Sequence, residues 1–339
     1  MNSSISPTSF RSPASSAFAV EQQERRKKRL MAILGQGLPT LPNYVLDLNA
    51  LLSAATVDLK KVGNVIRTDP SLSAQVLRLC NSALFGLRRR VLSIEQAAIL
   101  LGTERLRTLV LTCSVMQFAG KRLPASQLLP FWQHSFLCAL LSERIARQVD
   151  YFEKEQAYLG GLLHDIGQLP LWILVVEEGA KQRTLPPPSW QDNVAVERDY
   201  FGMDHCKVGR WMAVAWNFMP SFIDVFEHHH SPDRAEHDPY LVGIVASADQ
   251  FLMTQVELPP ANPEDLSQPQ DPLPPHELEE PSFIQNCLPL LAEADRQSVL
   301  DMLQTEYIHL LPLVQLGLAS ATTDTGETQN SSAPRPVQE

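Results

Sequence analysis

The stretch GGLLHDIG, residues 160–167, sets His164 and Asp165 among Leu162, Leu163 and Ile166, with Leu169 and Leu171 close behind. The leucines and isoleucine mark the segment as core. An imidazole and a carboxylate are costly to bury without partners. The pair is therefore either exposed or met by polar groups from other parts of the chain.

Candidate partners lie on both sides. Upstream, PFWQHSFLCALLSERIARQV (130–149) spaces His134, Cys138, Leu141 and Ile145 as one face of a helix. Downstream, GMDHCKVGRWMAVAW (202–216) aligns His205, Val208, Gly209, Met212 and Trp216, and Gly209 leaves room for a neighbouring helix beside His205. His205 stands near that helix's start, where the dipole disfavours imidazolium and favours the neutral, ligating ring. VFEHHHSP (225–232) carries three histidines in succession, and LVGIVASADQFL (241–252) puts Asp249 on the face of Leu241, Val242 and Val245. An ionised carboxylate there needs a cation or several donors.

Taken alone, a core-facing histidine is more often a hydrogen-bonded core residue than a ligand. His134, His164, Asp165, His205, His229, His230 and Asp249 come from five helical segments and together predict one site. Helical bundles build metal centres this way, from inward-pointing side chains on facing helices. Mixed imidazole and carboxylate ligation suits divalent Mn, Fe or Zn. Asp165 bridging two metals beside a metal-bound hydroxide would be a hydrolytic arrangement, which makes it the candidate catalytic residue. The alternative is a closed His/Asp hydrogen-bond network that binds nothing.

The chain around this site reads as all-α, a multi-helical bundle with an N-terminal helical subdomain. Helical periodicity runs through NYVLDLNALLSAA (43–55), VDLKKVGNVIRTDP (57–70), SLSAQVLRLCNS (71–82), SIEQAAILLG (93–102) and TERLRTLVLTCSVMQFAG (103–120). Ser93 is the expected N-cap of one helix, Gly102 its stop and Thr103 the cap of the next. The expected organisation is a disordered, basic lead-in over 1–30 and a main domain over 31–255, in halves 31–120 and 121–255. An acidic, proline-rich linker follows over 256–281, then C-terminal helices over 282–319 and a disordered tail over 320–339.

The 339 residues carry a net charge of −10, unevenly placed: residues 251–339 hold 14 acids against 2 basic residues, so the body is near neutral. Two basic runs, Arg25–Arg29 and Arg88–Arg90, lack aromatic interleaving or a reader motif, which argues against nucleic acid as a partner. Five scattered cysteines without a CxxC predict reduced thiols and a cytoplasmic setting. No stretch reads as an uninterrupted membrane helix, and the start lacks a signal peptide's apolar core.

The order His134, His164-Asp165, later histidines and Asp249 resembles the HD superfamily of metal-dependent phosphohydrolases. DPSLSAQVLRLCNSALFGLRRRVLSIEQAAILLGTERLRTLVL (69–111), followed by GLLHDIGQL, HCKVGRWMAVAWNFMP and HHHSP, is similar to the HDOD domain, the HD-related output domain. The similarity spans about residues 35–254 and leaves 257–339 outside, so the domain is expected to fold without that segment. It implies a bacterial signal-transduction module, without catalysis, acting through a signalling protein or small ligand. The alternative it implies is a phosphodiesterase acting on a nucleotide or cyclic dinucleotide. Three departures from the catalytic relatives favour the first reading. Pro130 stands for a Glu one turn before the first His, Gln168 for the Lys after HD-x-G, and SPDRAEHDPY for the GYP loop. Phosphoryl chemistry leans on cationic stabilisation, so the lost Lys weighs most; Arg88–Arg90 or Lys207 are the available substitutes.

Overall fold

A computed structural model describes residues 21–32, 58–178, 194–255, 282–289 and 291–322. Among them there is no strand, in line with the all-α expectation. The helix expected over 43–55, the proline-rich stretch 259–281 and the chain beyond Thr322 lie outside the described residues.

The N-terminal half begins with α1 (21–32), α2 (Leu59–Arg67) and α3 (Pro70–Cys80). Asp69 ends α2 and caps α3, its carboxylate accepting from the Leu72 amide while Pro70 opens the helix. Helix α4 (Ile94–Leu101) starts under Ser93, whose hydroxyl accepts from the Gln96 amide. Gly102, at φ 84°, stops α4 and is itself the cap of α5 (Thr103–Gly120), so Thr103 is the first helical residue and not the cap. The positive φ, which only glycine adopts without strain, places the boundary there.

Helix α6 (Ala125–Gln148) is the spine of the second half. Against it pack α7 (Lys154–Leu163) and α12 (Pro239–Thr254). Helix α8 (Gln168–Glu177) follows α7 after the turn 164–167. Then come α9 (Val194–Phe201), α10 (His205–Ala215) and α11 (Pro220–His228). The helical run Lys154–Glu177 does meet the length and composition of a membrane span, contrary to the expectation from sequence, but it lies mostly buried inside the fold. It is apolar because most of its surface faces protein.

One continuous apolar core joins both halves. A polar interlock supports it: Arg105 of α5 meets Glu143 of α6 at 2.6 Å and Glu155 of α7 at 2.7 Å, with its guanidinium over the Tyr158 ring. Glu143 also accepts from Arg147 at 2.6 Å.

Both ends of the described chain depart from expectation. Residues 21–30 form part of a helix and not a disordered lead-in. Leu30 is buried, Arg26 stacks 3.6 Å over Tyr200 and pairs with Glu178, and Gln23 donates to the Arg198 and Asp199 carbonyls. Two of the five residues of the basic run, Arg26 and Arg29, are thus drawn to acids within the protein. At the other end α13 (Ser282–Cys287) packs on α12, and α14 (Glu293–Thr322) runs along α6 and α3. Helix α14 thus runs to Thr322, two residues past the expected start of the tail at Ser320. Val299, Leu300, Leu303, Leu310, Val314 and Leu318 of α14 are all buried.

Two predictions follow from this packing. Burial raises the Glu143 carboxyl's affinity for a proton, but Arg147 and Arg105 outweigh it and hold its pKa below the ordinary 4.5. Its contribution is therefore complete above pH 4.5 and lost as pH falls below that value. Glu143→Gln should cost about 2 kcal/mol near neutrality and flatten the acid limb of the stability curve, read by urea unfolding across pH. A chain ending at residue 255 should lack native packing, against the expectation from sequence. Six buried aliphatic side chains at roughly 1.5 kcal/mol or more each approach a domain's whole stability margin. Near-ultraviolet circular dichroism and limited proteolysis read the outcome.

Candidate metal centre

His134, His164, Asp165, His205, His229, His230 and Asp249 all converge on one interior region. His134 projects from the middle of α6, and His164 and Asp165 sit in the turn between α7 and α8. His205 opens α10, His229 and His230 follow the end of α11, and Asp249 comes from α12. His164 and His229 are fully buried, and only His230 keeps an edge toward solvent.

Two subclusters share Asp165. In the first, His134 Nε2 lies 3.3 Å from His164 Nε2 and 3.1 Å from Asp249 Oδ1. Asp165 Oδ2 is 3.5 Å from His164 Nε2 and 3.7 Å from His134 Nε2. In the second, His205 Nε2 is 3.3 Å from His229 Nε2 and 3.1 Å from His230 Nε2. Asp165 Oδ1 faces that group, 3.3 Å from His205 Nε2 and 3.5 Å from His229 Nε2. One carboxylate thus turns an oxygen to each subcluster.

The far nitrogens of three rings are already committed. His164 Nδ1 donates to the Gly161 carbonyl at 2.8 Å and His229 Nδ1 to the Val225 carbonyl at 2.9 Å. His205 Nδ1 donates to Glu197 Oε2 at 2.7 Å, and the same oxygen accepts from the His205 amide. A carbonyl or carboxylate oxygen only accepts, so each of these rings holds a proton on Nδ1 and turns Nε2 inward, where it offers a lone pair once the ring is neutral. This is the outer-shell arrangement that orients metal-ligating histidines. Asp165 Oδ1 and Asp249 Oδ2 are buried without a hydrogen bond. Convergent acceptors and orphaned carboxylate oxygens form a donor set that fits divalent metal, with Asp165 between two positions.

The electrostatics point the same way. Burial opposes ionisation of Asp165 and Asp249, yet the surrounding imidazoles hold both carboxyls well below the usual range. Burial also opposes charge on His205, but Cys206 and the Glu197 carboxylate hold its pKa well above 6.5. The helix-dipole expectation for this ring is corrected accordingly: a carboxylate in hydrogen-bond contact outweighs the partial charge of a helix end. Burial, reinforced by neighbouring imidazoles, pushes His230 down to about 4.

Glycines let the backbones meet. A Cβ on Gly161 would stand 2.7 Å from the Cys138 carbonyl oxygen, and one on Gly167 would overlap the His205 carbonyl and the Gly209 amide. Gly160 faces softer neighbours, with Val245 Cγ2 at 3.2 Å. Glu197 went unremarked in the sequence: VAVERDYF (194–201) shows nothing but an ordinary helix with an acid in it. Cys206, 3.5 Å from His205 Nε2, was noted only as one of five scattered thiols.

Comparison with known proteins agrees with this architecture. The family model for the HDOD domain matches residues 38–232. The chain is 24% identical over 225 residues to an uncharacterized protein of Treponema pallidum (strain Nichols), covering 63% of this chain and only 42% of that protein. Among solved structures, an HDOD domain protein of unknown function from Geobacter sulfurreducens has TM-score 0.62 at 23% identity, covering 87% of this chain and 98% of that one. A protein from Shewanella amazonensis SB2B, provisionally described as a phosphohydrolase, has TM-score 0.59 at 23% identity over 85% and 97% of the two chains. A provisionally described signal transduction protein from Marinobacter aquaeolei VT8 has TM-score 0.58 at 18% identity over 88% and 66%. These structural likenesses are of fold.

Gly167→Ala should lower stability by about 3 kcal/mol, because backbone and not a side-chain tip must move, whereas Gly160→Ala should cost about 1 kcal/mol. Thermal unfolding of the two variants checks the ordering.

Proposed function

The chain belongs to the HDOD domain family, and from that membership we propose that it is a non-catalytic signalling module whose His/Asp centre takes divalent metal and ties the helices together. Its output would be binding to a signalling protein or small ligand. The observation that carries this reading is closure of the site: His164 and His229 are fully buried, and His134, Asp165, His205 and Asp249 are each at most 5% exposed. Structural metal sites are closed, whereas catalytic ones keep a position open to water and substrate.

The cations that phosphoryl chemistry would need are engaged or remote in character. Lys207 Nζ lies 3.5 Å from Glu227, which Arg210 also engages. Arg88–Arg90 stand exposed in the loop after Gly86. Gln168 holds the position of the relatives' Lys, and Pro130 that of their Glu. A metal in this centre would supply positive charge to Asp165 and Asp249, and the imidazoles with their carbonyl and Glu197 partners would hold it in place.

A second reading, a metal-dependent phosphohydrolase on a nucleotide or cyclic dinucleotide, draws support from Asp165 turning one oxygen to each subcluster. That disposition is also the hydrolytic one. Metal analysis of the purified protein, followed by phosphodiesterase assays with added Mn, Fe or Zn, separates the two. We expect bound metal and no turnover. Saturating metal, at about a hundred times its Kd, should raise the melting temperature by roughly 5–10 °C, and His164→Ala should abolish the rise. Metal-dependent hydrolysis lost in folded His164→Ala would replace the first reading with the second.

A further inference from the structure

We propose that Cys206 is a metal ligand, so that the second subcluster is a sulfur-containing position selective for Zn(II), Co(II) or Fe(II) over Mn(II) and Mg(II). The inference rests on the reading of the centre as metal-binding and adds a residue to it. His205 Nε2, Cys206 Sγ, His229 Nε2 and His230 offer ligand atoms that all lie within 4.8 Å of one another. The first three residues are buried, and His230 nearly so.

The three spacings that start from His205 Nε2 match tetrahedral ligation. Zn–N bonds of about 2.05 Å and a Zn–S bond of about 2.3 Å give N···N edges of about 3.3 Å and N···S edges of about 3.6 Å. Here His205 Nε2 stands 3.3 Å from His229 Nε2, 3.1 Å from His230 Nε2 and 3.5 Å from Cys206 Sγ.

A thiol hydrogen bond alone does not account for the cluster. One S–H proton can serve a single acceptor. Yet His205 Nε2, His229 Nε2 and Asp165 Oδ1 are aimed at each other, and with the Nδ1 protons of both rings spent elsewhere each is an acceptor whenever the rings are neutral. Asp165 Oδ1 is buried with no hydrogen bond at all. A cation answers every one of these atoms at once. Thiolate among imidazoles selects Zn, Co or Fe, whereas the His134, His164, Asp165 and Asp249 subcluster, without sulfur, suits harder ions as well.

The test uses the full chain, stripped with chelator and titrated anaerobically with Co(II) alone. We expect thiolate-to-cobalt charge-transfer absorption in the near ultraviolet for the natural protein and for Cys138→Ser. Cys206→Ser should lose that band, keep the visible cobalt bands from the imidazoles, and bind Zn(II) at least about tenfold more weakly, the floor set by outer-shell partners. Cobalt binding without the band, or a band that persists in Cys206→Ser, overturns the proposal and leaves the metal centre standing. Absence of any cobalt binding overturns both. The spectrum of the natural protein decides by itself whether a thiolate ligates, so the test does not hang on a variant's folding. Cys206→Ala provides a second variant should the serine form fail to fold.

Discussion

Two carboxylates, Asp165 and Asp249, lie in the interior of a helical bundle, and most of the architecture around them answers the charge they bring. An isolated buried carboxylate is strongly disfavoured, and the remedy is a proton, a paired cation or a metal. The chain surrounds these two with five imidazoles drawn from α6, the 164–167 turn, α10 and the end of α11. The rings in turn are fixed from behind by the Gly161 and Val225 carbonyls and by Glu197. Charge, ring orientation and helix placement are therefore one problem with one solution.

That solution requires backbones closer than ordinary side chains permit. Gly161 lets α7 approach the α6 backbone, and Gly167 lets the turn sit against the start of α10. Elements remote from the centre hold these contacts in place. The helix over 21–32 anchors α9, whose Glu197 aims His205, through Gln23 and Arg26. Helices α13 and α14 cover α12 and α6, which carry Asp249 and His134. The ends of the described chain thus lie mechanically behind the site, although neither contributes a ligand to it.

Closure and composition together set what the centre is suited for. A cluster this rich in ligands would serve hydrolysis if it opened onto a cleft with a free cation. In this chain six of the seven candidate ligands are buried, with His230 at the edge, and Lys207 is drawn to Glu227. On the proposed reading, the same donor set acts as a fastener. Holding helices from both sides of the second half is a natural way for a metal to bias a signalling domain between states.

The sequence alone determined most of the helices, the cap at Ser93, and the identity of seven ligand candidates. Periodicity and a polar residue on an apolar face are local properties, written within a few turns of chain. Tertiary structure alone decided that those seven meet, that Asp165 turns one oxygen each way, and that Glu197 and Cys206 belong beside His205. It also decided that 21–32 and 282–322 pack against the body, with Leu30 and Val314 buried in its core. Such facts depend on distances between residues far apart in the chain. A helix shows which face is apolar, but what covers that face is settled only when the helices pack.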